Sequence, residues 1–110
     1  MIDIIHSMIG TAERYGLRIL HIDATDVTLM ARMEILPAVY IQIYRNIAKG
    51  KLNMALIIGN DRVYGVDSEG GIYHEHPAED PIDHLPAMEK VELEEFVVRC
   101  LNILKNRSIL

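Results

Sequence analysis

Five side chains of this 110-residue chain have the types and spacing to do chemistry: Arg62, Asp67, His74, His76 and His84. Histidine titrates near neutrality, so a pair of imidazoles can take up one proton and deliver another. Arginine can hold a phosphate through two donors. Together these residues contain the parts for metal-free cleavage of RNA, and they form the candidate catalytic set. The same residues suit a metal: histidines at i and i+2 on a strand point the same way, His84 on a proline-stiffened loop would be a third ligand, and Asp67 a fourth or an acceptor that orients one of them. Their spacing matches no described zinc motif, and the metal question stays open on sequence alone. A third reading gives the histidines no chemistry and has them anchor the following loop by hydrogen bonds near a sheet edge. No cofactor is indicated, because phosphate-binding glycine loops, nucleophile elbows and dinucleotide fingerprints are all missing. Cys100 falls in an apolar helical stripe and reads as core filler.

The elements that must position these residues follow from hydropathy patterning. Ile2, Ile5, Met8, Ile9 and Ala12 recur at helical spacing up to Tyr15, and Gly16 is placed to close that helix. Leu17–Asp23 reads as a strand. Val27, Leu29, Ala31, Met33 and Ile35 alternate with Thr28, Met30, Arg32 and Glu34, which predicts a strand with one buried face. Pro37 interrupts pairing before Val39–Ile47, and Lys49-Gly50 turns the chain. Leu52–Ile58 and Asp61–Asp67 flank Gly59-Asn60, a two-residue hairpin signal. Gly70-Gly71 reverses the chain into Ile72–His76, and Pro77, Pro81 and Pro86 mark a loop. Leu93, Phe96, Val97, Cys100, Leu101 and Leu104 stripe a last helix, acidic early and basic late, as its dipole favours. The prediction is one α+β domain over residues 1–110. An antiparallel meander of about six strands carries an N-terminal and a C-terminal helix on one face.

Half of the residues are hydrophobic and a quarter charged, a composition that excludes a disordered chain. The formal charge of −5 gives no general attraction to nucleic acid or anionic lipid, so RNA binding would have to be local. One cysteine cannot close an internal disulfide, and no apolar run has the ~18 residues of a membrane helix. With no signal-peptide pattern at the N-terminus, a cytoplasmic, membrane-free protein is expected.

Register then assigns faces. A two-residue turn at Gly59-Asn60 pairs Leu56 with Val63 and Met54 with Gly65, and a four-residue turn at Ser68 to Gly71 sets Gly65 opposite His74 and Val63 opposite His76. Both histidines then join Ile41, Ile43, Met54, Leu56 and Ile72 on the helix-covered face. Tyr40, Gln42, Tyr44, Ala55, Ile57, Arg62, Tyr64, Val66 and Tyr73 collect on the other. Arg62 is thereby separated from the histidines. A face carrying Tyr40, Tyr44, Tyr64 and Tyr73 is expected to pair two copies into a homodimer, the alternative being a platform for unpaired bases. A one-residue slip would flip every assignment beyond it.

The run Arg62-x-Tyr64-x-x-Asp67, followed by His74-x-His76-Pro77 and Asp80-Pro81-x-x-His84, resembles a segment of small prokaryotic proteins. It is distantly similar to the TumE-type toxins of toxin–antitoxin loci. The likeness spans Lys51 to His84, about a third of the chain. In that family an aromatic strand ending in Asp-Asn precedes a histidine-rich segment; here Ser68 follows Asp67 and the histidines are fewer. The resemblance implies a toxin-like role, action on RNA and an antitoxin protein as partner. A non-catalytic homodimeric binding module and a histidine-based metal protein are the alternatives.

Overall fold

The N-terminal apolar periodicity becomes helix α1, Ile2–Tyr15. Gly16 closes it in the left-handed conformation, φ 68° and ψ 33°, with its N–H donated to the Ala12 carbonyl. The chain then runs through six strands, β1 (Arg18–Ala24), β2 (Thr28–Leu36), β3 (Val39–Asn46), β4 (Lys51–Ile58), β5 (Asp61–Glu69) and β6 (Ile72–His76), and ends in helix α2, Leu93–Asn106. The computed structural model describes residues 1–77 and 89–110. His84, with Asp80, Pro81 and the rest of the second half of the candidate motif, lies outside the described residues. No helix among the described residues is long and apolar enough to cross a membrane.

The strands form one open sheet in the order β1-β2-β3-β4-β5-β6, every neighbouring pair antiparallel, as expected of consecutive hairpins. Both helices cover the same face. Leu29, Ala31, Met33, Ile41, Ile43, Met54 and Leu56 are buried there against Met8 and Ala12 of α1 and Phe96, Val97, Cys100 and Leu104 of α2. The buried line of α1 is Met8, Thr11 and Ala12, while Ile2 and Ile9, which the helical spacing grouped with them, are exposed. Arg14 and Tyr15, at the end of α1, both bond Glu94 in the first turn of α2 and tie the two helices together. Helix cover thins at β1, where Ile19 packs against the core while Leu20 and Ile22 are exposed.

Faces from β2 to Arg62 of β5 agree with the sequence pattern; those after Arg62 are reversed. Gly59-Asn60 is the expected two-residue turn, and Ile58 pairs with Asp61 and Ile57 with Arg62. The next pair, however, is Leu56 with Tyr64. Val63 is an extra residue, a β-bulge, and its insertion exchanges the faces of every later residue of β5. The turn into β6 is also tighter than the four residues expected. Gly70 and Gly71, at φ 60° and 82°, form a two-residue turn that only glycine enters without strain, and Glu69 pairs with Ile72. That change leaves the face of β6 alone, since it moves the pairing by an even number of residues, but it sets Asp67 opposite His74 and Gly65 opposite His76.

Two corrections follow. Tyr64, Val66 and Tyr73 do not line the uncovered face; they are buried in the core beneath the helices, and Tyr64 stacks on Phe96 with ring centroids 5.4 Å apart. Of the four tyrosines assigned to a dimer face, only Tyr40 and Tyr44 are on it. His74 and His76 leave the helix-covered face and join Arg62 on the open one.

Candidate functional site

Beside a row of Thr28, Asn46, Lys51, Glu69 and Ile72 at one end, the pairings lay out the open face as three rows running across the strands. Asp23, Met30, Tyr44, Asn53, Asp67 and His74 form one, and His21, Arg32, Gln42, Ala55, Gly65 and His76 the next. The third is Arg18, Glu34, Tyr40, Ile57 and Arg62. Four of the five candidate residues therefore converge on the β5–β6 end of one face, against the expectation that Arg62 and the histidines would be divided.

Their local geometry follows from this register. His76 and Asp67 are diagonal neighbours, close enough for His76 Nε2 to meet Asp67 Oδ2 at 2.7 Å. A carboxylate at that distance fixes the orientation of the ring. His76 is buried although it belongs to an edge strand, and Asp67 and His74 are half-buried. Gly65, directly opposite His76, makes room for a long neighbour. A Cβ there would lie 3.5 Å from Cδ of Arg62 and 3.3 Å from the Met54 carbonyl oxygen, so the stem of Arg62 crosses the glycine toward the histidine row.

Two shallow depressions open on this end of the face and share Asn53 and Asp67. One, of about 500 Å3, is lined by Lys51, Ser68, Glu69 and His74 as well; the other, of about 480 Å3, by Gln42, Tyr44, Ile57 and Arg62. Their walls offer a guanidinium, an imidazole, two amides and an aromatic ring. The rings of the face are held in place. Arg32 lies over Tyr40, 4.8 Å from the centroid, and the Tyr44 hydroxyl accepts a 3.3 Å bond from the side-chain amide of Asn46. Asn53 was missed as a wall of the site. The signal for it is the polar residue at an outward position of the alternation Leu52-Asn53-Met54-Ala55-Leu56.

The helix side of the same strands carries a second polar group. Tyr64 donates its hydroxyl to Glu75 at 2.6 Å, and Arg99 of α2 donates to Glu75 at 3.3 Å and to the Tyr64 oxygen at 3.2 Å. Burial, and then the bond to Glu75, pushes the Tyr64 pKa well above its ordinary value, so the hydroxyl keeps its proton. Burial likewise pushes the Cys100 thiol far up, in line with a core role. Sequence reading placed Arg99 only as a basic residue late in the helix.

For the metal reading, among the described residues no group of three or more His, Cys, Asp and Glu is arranged to hold an ion. A metal set would depend on His84. What the described residues can do chemically is hold an anion at Arg62 and move protons at the paired histidines, one of which is oriented by a carboxylate. Comparison of the chain with protein-family models, with curated proteins and with solved structures finds no significant match.

Proposed function

We propose that the protein is a toxin-like protein that acts on single-stranded RNA at the β5–β6 end of its open sheet face. The observation that supports this reading is the convergence of Arg62, Asp67, His74 and His76 there, with Asp67 2.7 Å from His76. Arg62 holds the phosphodiester. His74 and His76 act as base and acid: one removes the proton of a ribose 2′-hydroxyl as its oxygen attacks the adjacent phosphorus, and the other protonates the departing 5′-oxygen, leaving a 2′,3′-cyclic phosphate and a 5′-hydroxyl. Asp67 is a positioning residue that holds the His76 ring. The half-buried rings of Tyr40 and Tyr44 offer stacking surfaces for unpaired bases, which suits a single strand over a duplex. An antitoxin protein that covers this face is the partner such a role requires.

Expression in a bacterial host tests the reading. The wild-type chain is expected to slow growth and deplete transcripts, and Arg62→Ala or His76→Ala to relieve both. Loss of a buried, hydrogen-bonded histidine costs about 1–3 kcal/mol, so each variant must melt near the wild type before relief counts as lost chemistry. Harmless wild-type protein, with transcripts intact, would remove the toxin reading.

A further inference from the structure

We propose that the cavity where the β3–β4 and β5–β6 turns meet binds the phosphate group of a small organic monoester. The core side of β3 runs Val39, Ile41, Ile43 and then Arg45, so an arginine stands where the apolar set would continue. Register carries that position across the sheet as Arg45, Leu52, Ser68 and Tyr73. Three polar side chains thus share one row, next to the buried row of Ile43, Met54 and Val66. Ser68 and Tyr73 are only 7 % and 8 % exposed, and Arg45 is half-buried. Among the described residues, none of the three has a hydrogen bond or an ion pair through its side chain. No fully buried polar side-chain atom among those residues lacks a partner, so the two hydroxyls must reach open space. All three residues line one cavity of about 240 Å3.

The chemistry of this cavity is that of an anion site. Its walls include Arg45 and Lys51 and, among the described residues, no carboxylate, on a chain whose net charge is −5. A guanidinium takes two oxygens of a phosphate, and each hydroxyl can donate to another. Polar groups this deep are costly to leave without a partner, and a bound phosphate supplies one to all three. The nearest carboxylates are otherwise placed. In the adjoining cavity, of about 300 Å3, Glu92 pairs with Lys90 at 3.2 Å, and Asp3 lies in the first turn of α1, where the helix dipole favours it. Gly70 donates its N–H to the Gly50 carbonyl at 3.0 Å, so the two turns form one wall. Beside the polar row, Ile47 and Leu52 offer apolar cover for a short carbon chain. The volume falls below the ~300 Å3 at which drug-sized sites begin, which restricts the ester to a few carbons. The site does not rest on the RNA reading, since it uses none of Arg62, Asp67, His74 and His76.

Amide NMR titration of the full chain at constant ionic strength tests the proposal, with glycerol 3-phosphate and inorganic phosphate as probes and sodium chloride as the blank. Both phosphates are expected to give saturable shifts centred on Gly50, Leu52, Ser68, Gly71 and Tyr73, and the ester to bind the tighter. Arg45→Met and Tyr73→Phe, which keep the stem and the ring, should each weaken binding by about tenfold or more. Without ligand, Arg45→Met should melt at or above the wild type, because it removes a half-buried cation that has no partner in the protein. No saturable shift, shifts centred on Arg62 and Gly65 instead, inorganic phosphate bound more tightly than the ester, binding undiminished in either variant, or a lower melting temperature for Arg45→Met would each overturn the proposal.

Discussion

Strands β5 and β6 carry two polar clusters back to back, and the contrast between them separates structure from chemistry. On the helix side Glu75 receives Tyr64 and Arg99, Arg99 also bonds Glu95 at 3.2 Å, and the Tyr64 ring stacks on Phe96. Every charge there has its opposite within reach, and the titration of Tyr64 is driven far from neutrality. Such a cluster locks α2 onto the sheet. On the open side Asp67 meets His76, with His74 and Arg62 beside them and two depressions alongside. The groups there are two imidazoles, a carboxylate and a guanidinium gathered on one face. Residues one step apart along a strand thus enter different clusters, and the bulge at Val63 decides which residue enters which.

The largest expected effect belongs to the helix side. Phe96→Ala removes a fully buried ring that stacks on Tyr64, and is expected to lower stability by about 3–5 kcal/mol, read by thermal or denaturant unfolding. A variant that unfolds like the wild type would show that this cluster does not hold the helix layer. Much smaller is the effect expected of deleting Val63. Without it Ile57 still pairs with Arg62 and Leu56 with Tyr64, the ladder becomes regular, and both clusters keep their faces. The cost is the lost contact of a half-buried valine, about 1 kcal/mol. Loss of the cooperative transition on that deletion would contradict the assignment of Val63 as the extra residue.

Much of this fold is legible in the sequence, and the part that is not has a specific cause. Gly16, Gly59-Asn60 and Gly70-Gly71 mark real chain reversals, and the alternation from Val27 to Ile35 singles out the buried side of β2, because apolar and polar residues there occupy different sets. In Arg62-Val63-Tyr64-Gly65-Val66-Asp67 they do not. Val63 and Gly65 on one set and Tyr64 and Val66 on the other are both acceptable in a core, so local pattern cannot choose between them. The choice is made by contacts far apart in sequence: Tyr64 on Phe96, Arg99 on Glu75, and Val66 beneath the helices. For the site this reverses one conclusion. The residue types were readable, whereas their convergence on one face required the bulge.

Cleavage of single-stranded RNA by purified protein, comparing a change on each face, tests the central claim most directly. With Tyr64→Phe the loss of a buried hydrogen bond should lower the melting temperature and leave the cleavage rate near wild type. His74→Ala should change melting little and cut the rate by about 10²-fold or more, the scale of a lost proton-transfer group. Wild-type protein that leaves RNA intact across about pH 6 to 8, where a histidine pair can supply both acid and base, or a His74→Ala variant that cleaves at the wild-type rate, would contradict the account.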